Sequence, residues 1–151
     1  MSLVKSIKSA VFILFFIACT VPAFPYNLEL TISEIQYSRG GELLIAVYNS
    51  EESNLSSDNV YADMDVPVND QSTISVVFKD LPEGEYSVAV LHDTDGNRDM
   101  TKNAFGIPKE GFGFTRITKV PLGEPKFSKI AVKVDGDTNA SVKMLYMNKQ
   151  K

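Results

Sequence analysis

Three observations predict an all-β chain folded as an antiparallel β-sandwich of about seven strands, with a long loop after the central hairpin. Apolar residues alternate with polar ones in short runs, turn residues separate those runs, and no apolar stripe of helical period crosses the chain. The composition agrees, because 151 residues with 44% hydrophobic and 23% charged describe one ordinary globular domain.

Residues 1–23 stand apart from the strand pattern. Lys5 and Lys8 make a positive start, Ala10 to Ile17 is an unbroken apolar run, and Val21 and Ala23 suit cleavage after Ala23, which together are the marks of a secretory signal. So short an apolar core falls below the roughly 20 residues that a permanent bilayer span requires. The expected organisation is a signal peptide over 1–23 and a single β-sandwich domain over 24–151, with no transmembrane segment after signal cleavage. A second reading takes Cys19, preceded by Phe16, Ile17 and Ala18, as a lipid-modified cysteine; a third leaves it as a small hydrophobe within the signal. The mature chain is therefore expected to be secreted or periplasmic, or lipid-anchored through Cys19.

Charge and rare residues exclude several classes of function. Cleavage removes two lysines and no acid, so a net charge of -4 becomes -6, and nucleic acid is not an expected partner. One cysteine and one histidine exclude a disulfide framework, a Cys/His zinc site and a Cys-His nucleophile pair.

The strands follow in order. Leu28, Leu30 and Ile32 alternate with Glu29 and Thr31, and this first strand is expected to reach Tyr37. After the turn signal Arg39-Gly40-Gly41, Leu43 to Tyr48 is continuous and apolar, as in a strand covered on both faces or by aromatic neighbours, and the two are expected to form a hairpin. Residues 49–72 carry Glu51, Glu52, Asp58, Asp63, Asp65 and Asp70 without a Lys or Arg. This reads as an acidic surface excursion with one short edge strand around Val60 and Tyr61. Ile74, Val76 and Phe78 then share a face, Leu81-Pro82-Glu83-Gly84 makes a turn, and Tyr86, Val88 and Val90 complete a second hairpin. Ile130, Val132 and Val134, a turn at Asp135-Gly136-Asp137, and Val142, Met144 and Tyr146 supply the last two strands.

The loop from His92 to Phe114 carries the chemistry, since a connection of about twenty residues in a compact domain usually has a function or a tether. Asp93, Asp95, Asn97 and Asp99 place oxygen at every second position around Gly96. Calcium takes six to eight oxygen ligands, and a curving Asp-x-Asp-x-Asn-x-Asp segment can converge several of them. The spacing matches the first four ligand positions of an EF-hand loop, with Thr101 at the ninth. It departs in having glycine at the fourth position and Ala104 where the closing glutamate belongs. Glu110 is the candidate to close the site from further along. The competing reading is turn chemistry, because Asp and Asn at alternate positions also make Asx-turns.

His92 at a strand end beside Asp93 has the residue types of a general base and its orienting carboxylate. No serine or cysteine nucleophile motif accompanies it, so anchoring the loop through backbone hydrogen bonds is the alternative role. Glu110 admits the same two uses, pinning backbone N–H groups or donating an oxygen to an ion. Gly106, Pro108 and Gly113 are expected to shape the loop, and Phe112 and Phe114, on one side of an extended segment, either cover the sandwich end or present a ligand surface.

The ordered combination of Asp80-Leu81-Pro82-x-Gly84-x-Tyr86, His92-Asp93-x-x-Gly96-Asn97 and Gly106-Ile107-Pro108-Lys109-Glu110-Gly111-x-Gly113-Phe114 resembles a family of exported bacterial proteins known only as a domain of unknown function. The resemblance spans residues 27–147 and implies a small secreted or periplasmic β-sandwich; the first piece also resembles transthyretin-like modules. The commoner family loop has an acid where this chain has Thr101, and this chain has Asp95 where the family has Asn.

The function expected is that of an exported, non-enzymatic module binding an unknown ligand or envelope component, with a calcium-stabilised loop. A carbohydrate or other envelope component is the target class suggested by analogy of fold. The alternatives are an envelope hydrolase using His92 with Asp93 or Glu110, and a structural or assembly protein whose acidic 49–72 segment meets a partner.

Overall fold

In the computed structural model, which describes residues 25–147, eight strands form two sheets that pack as an all-β sandwich. The signal peptide, its cleavage after Ala23 and the Cys19 alternative lie outside the described residues. The strands are β1 (Tyr26–Ser33), β2 (Glu42–Tyr48), β3 (Ala62–Pro67), β4 (Ile74–Leu81), β5 (Gly84–Asp93), β6 (Gly111–Phe114), β7 (Val132–Val134) and β8 (Thr138–Lys143). One sheet has the order β4-β1-β8, the other β3-β2-β5-β6, and β7 pairs with the first residues of β5.

Period-two alternation builds the core. Leu28, Leu30 and Ile32 of β1 face Leu43, Ile45 and Val47 of β2 and Val88 and Val90 of β5 in one cluster, each no more than 2% exposed. Burial of an aliphatic side chain of this size contributes about 1.5–3 kcal/mol relative to exposure, so these rows fix which face of each strand turns inward.

Strand pairing departs from the expected hairpins. β1 pairs with β4 and β8, whereas β2 pairs with β3 and β5, so the first two strands lie in different sheets. The cause is at Glu34, whose φ of 62° ends β1 at Ser33, short of Tyr37, and turns the chain toward the other layer before Gly40 and Gly41 are reached. Gly41 passes so close to the Asp93 carbonyl that a Cβ there would collide with it.

The connection after β4 likewise crosses between sheets. Asp80 has φ 59°, Leu81 turns into the core at 3% exposure, and the Tyr86 hydroxyl donates to the Pro82 carbonyl at 2.9 Å. This is the arrangement of a tyrosine corner, a tyrosine at the start of a strand bonding back to the bend that delivered it. Burial raises the phenol to a pKa of about 12. Leu81 to Tyr86 therefore encodes a change of sheet where a hairpin was expected.

Three more expectations are corrected. Residues Phe127–Ile130 form a one-turn helix, α1, that buries Phe127 and Ile130, so the strand expected from Ile130 begins at Val132. β8 runs parallel to β1, which makes the sandwich antiparallel in all pairs but this one. Leu43 to Tyr48 alternates in burial, leaving Leu44 and Ala46 half-buried on the outer face instead of covered. The edge strand in the acidic segment exists as β3, just beyond Val60 and Tyr61.

The unexpected strand is β6. It pairs with β5 and also meets the chain after β8, where Phe112 and Leu145 exchange backbone hydrogen bonds of 3.0 and 2.7 Å. This joins the two sheets along one side. Gly113 is required there, because a Cβ would stand 2.5 Å from Val142 Cγ1 and 2.8 Å from the Lys143 carbonyl oxygen.

Candidate functional site

The loop after β5 is organised by two buried carboxylates. Asp93, fully buried, accepts the backbone N–H of Gly96 at 2.7 Å and of Asp95 at 3.3 Å on Oδ1, and that of Arg98 at 2.8 Å on Oδ2. Burial pushes its carboxyl up, but the backbone donors of Arg98, Gly96, Asp95 and Asn97 outweigh burial and hold it below the usual carboxylate range. Glu110 reaches back from the start of β6. Its Oε1 accepts the Thr94 N–H and hydroxyl at 2.8 and 3.0 Å, and its Oε2 accepts the Thr101 N–H at 3.0 Å.

Thr101 is the hub of the outer half. Its hydroxyl donates to Asp95 Oδ2 at 2.9 Å and accepts from Asn97 Nδ2 at 2.7 Å. Asn97 Oδ1 accepts the Asp99 N–H at 2.7 Å, and Asp99 Oδ1 accepts that of Met100 at 2.7 Å. Of the five residues expected to ligate a metal, Asp93 and Asp95 converge, joined by Glu110, with one carboxylate oxygen of each within 4.8 Å of the others. Asn97 and Asp99 turn a side-chain oxygen to neighbouring backbone, and Thr101 bridges Asn97 to Asp95.

His92 points to the opposite side of β5, into the sandwich, and is fully buried. Nε2 lies 2.7 Å from the Gly40 carbonyl, so it carries the proton; Nδ1 lies 2.7 Å from the Tyr146 hydroxyl. Tyr146 already accepts the Gln36 N–H at 3.0 Å, so its own proton goes to His92 Nδ1. Burial holds the imidazole below its ordinary range, assisted by the Arg39 guanidinium and opposed by the Gly40 carbonyl and the charges of Glu110 and Asp93. Arg39 lies over the Tyr146 ring, 5.0 Å from its centroid, and donates to the Lys109 carbonyl at 3.1 Å. Gly111 completes the cluster, since a Cβ there would run into the Tyr146 ring.

A groove of about 880 Å³ lies on the outer face of the larger sheet. Strand register lays two rows across its floor, Asp65-Leu44-Leu91-Phe112 and Asp63-Ala46-Ala89-Phe114, each acidic at β3 and aromatic at β6. Phe112 and Phe114 meet at 5.9 Å between centroids, tilted by 54°. Arg98 closes the wall on the loop side, with its guanidinium 2.7 Å from Asp65 and 3.7 Å from Glu42. Gly106 and Pro108 also border the groove; Gly106 turns the loop tip at φ 76°, and Pro108 bridges to Lys102.

Of the groove floor, the sequence pointed to Phe112 and Phe114 alone as a ligand surface; it did not point to Leu44, Ala46, Ala89 and Leu91 beside them, to Arg98, or to the place of Tyr146 against His92. The unbroken run Leu43 to Tyr48 was the available signal, since a strand apolar on both faces needs a second occupant beyond the core. Tyr146 and Arg98 gave none, because their partners lie 54 and 33 residues away.

Among the described residues no helix is long and apolar enough to cross a membrane. No curated protein and no solved structure matches the chain. Residues 30–143 match the model of an uncharacterised protein family conserved in bacteria, DUF2141, and the chain belongs to that family.

Proposed function

We propose that this is an exported, non-enzymatic binding module that holds an amphipathic small molecule in the groove on the outer face of its larger sheet. One observation carries the reading: two cross-strand rows, each acidic at β3 and apolar from β2 to β6, lie on the sheet face turned away from the central core cluster and border a space of about 880 Å³ walled by loops. Sites for small molecules commonly have roughly 300–1,000 Å³, an apolar floor and a few polar groups at the edge. The apolar part of the ligand lies toward Leu91, Phe112 and Phe114, and its polar part toward Asp63 and the Arg98–Asp65 pair. The engagement of both ring nitrogens of His92 inside the sandwich supports the non-enzymatic reading. Export is supported by the signal pattern in residues 1–23.

The test uses the neutral dye N-phenyl-1-naphthylamine. The wild type is expected to give a saturable rise in dye fluorescence, and Ala89→Trp, which fills the floor, to abolish it while leaving the folded spectrum intact. Equal enhancement by both proteins would refute the groove as the site.

A second reading concerns calcium in the loop. Asp93, Asp95 and Glu110 are the residues that would hold the ion, with Glu110 in place of the absent closing glutamate. A site with a dissociation constant of about 0.1 mM adds about 2.7 kcal/mol of stability in about 10 mM calcium. Thermal unfolding in calcium, in magnesium and in EDTA tests it. A shift with calcium that disappears in Asp95→Ala is expected, and unchanged midpoints would leave these acids as turn chemistry alone.

A further inference from the structure

Two segments border the groove, residues 101–109 and 116–126, and each presents a large apolar side chain to solvent, Phe105 at 88% exposure and Leu122 at 111%. Neither tip is a loose end. Asn103 Oδ1 accepts the N–H groups of Phe105 and Ile107 at 2.9 and 3.0 Å, while the Asn103 N–H donates to the Ile107 carbonyl at 2.9 Å, so the Phe105 turn is internally bonded. Leu122 sits between Pro121 and Gly123, and the Pro125 carbonyl beyond it is tied to Asn54 at 3.0 Å. Holding such side chains in water is unfavourable for the isolated protein, and pre-shaped turns keep them from folding back onto it.

The charges around these tips run against the balance of the chain. Lys102 and Lys109 flank Phe105; Arg116, Lys119 and Lys126 flank Leu122; all five are exposed. The acids in the same stretch are Glu110, buried beneath the first loop, and Glu124. The chain as a whole carries a net charge of -4, and residues 49–72 hold six acids and no Lys or Arg. Among the described residues, no ion pair engages Lys102, Lys109, Lys119 or Lys126. Arg116 donates to the Ala131 carbonyl at 3.0 Å, and exposed apolar tips collared by the four lysines match the interface of an anionic bilayer, where apolar side chains enter the acyl boundary and lysines meet the headgroups.

We propose that the 101–109 and 116–126 loops dock the protein onto an anionic membrane surface, with Phe105 and Leu122 inserted and the flanking basic residues on the lipid headgroups. This docking goes beyond the groove reading and stands whether or not the groove holds a ligand. It also sets the groove, which Ile107 and Val120 border, beside the lipid.

The chain has no tryptophan, so Phe105→Trp and Leu122→Trp each install a single reporter at a tip. With vesicles containing about 30% phosphatidylglycerol, both indoles are expected to shift to the blue and to be quenched by brominated acyl chains. Partition should weaken at least about tenfold on pure phosphatidylcholine vesicles or in Lys102→Glu with Lys119→Glu, and should also fall in about 0.5 M salt. Adhesion through any other part of the chain, the apolar run 10–17 included, would leave both indoles unshifted and unquenched, and that outcome overturns the proposal. Equal insertion into neutral and anionic vesicles would overturn the role given to the lysines and arginine.

Discussion

Glu110→Gln is the sharpest probe of how the long loop is held. Glu110 is 2% exposed and serves both ends of the turn, taking the Thr94 N–H and hydroxyl on one oxygen and the Thr101 N–H on the other. Glutamine preserves the shape but converts one acceptor into a donor, so either Thr94 or Thr101 faces a like group across a bonding distance. A hydrogen bond to a charged acceptor contributes about 1.5–3 kcal/mol, and a buried donor left unpaired costs about 1–3 kcal/mol. A net loss of about 2–3 kcal/mol is expected, which for a domain of this size is roughly 6–12 °C in Tm.

An opposing effect is built into the same site. Asp93, Asp95 and Glu110 each place one carboxylate oxygen within 4.8 Å of the others, so removing one charge relieves repulsion. Thermal and urea unfolding in EDTA at neutral pH, followed by circular dichroism, weighs the two. A Gln variant as stable as the wild type, or more so, would refute the tethering argument and show that repulsion dominates. In that event calcium should stabilise the wild type and not the variant.

Two further outcomes follow from the buried cluster on the other side of β5. Because burial holds His92 below its ordinary value of 6.5, the unfolded chain takes up that proton first as pH falls. Stability is therefore expected to be full above about pH 6.5 and to decline below it until the folded imidazole titrates. Asp93 is lowered too and acts in the same direction in a more acidic window: its contribution is retained above its ordinary value of 3.8 and is lost only below that, as its lowered pKa is approached. The slope between pH 7 and pH 5 in urea denaturation thus reports His92, and a slope that persists unchanged in His92→Gln would contradict the assignment. Gly111→Ala should cost about 1–3 kcal/mol through overpacking against Tyr146. Combined with Tyr146→Ala it should cost less than the sum of the single changes, and strict additivity in a double-mutant cycle would show that the two do not touch.

The local facts of this fold were legible in the sequence because they depend on neighbours along the chain. Period-two alternation marked β1, β4, β5 and β8, since a strand with one buried face must place apolar residues at every second position, and an unbroken apolar run marked β2. The Asp93 to Asp99 spacing marked a loop of oxygen ligands to backbone or ion, because such side chains reach N–H groups one to five residues on. The turn residues at Gly40, Pro82 and Gly136 marked bends, but a bend does not say whether the next strand returns to the same sheet.

That choice belongs to the tertiary structure. Glu34 and Asp80 adopt positive φ, a conformation ordinary residues hold only when packing on both sides requires it, and the crossings between sheets depend on it. The pairing of β6 with β5 and its junction with Leu145 rest on contacts between distant segments, as do the Tyr146–His92–Gly40 chain and the Arg98–Asp65 pair. The groove has the same origin: each row on its floor takes one residue from each of four strands, so only their register brings Leu44, Leu91 and Phe112 side by side. Residue types and their spacing determined which faces would be apolar. Packing decided which of those faces became the core and which was left open as a site.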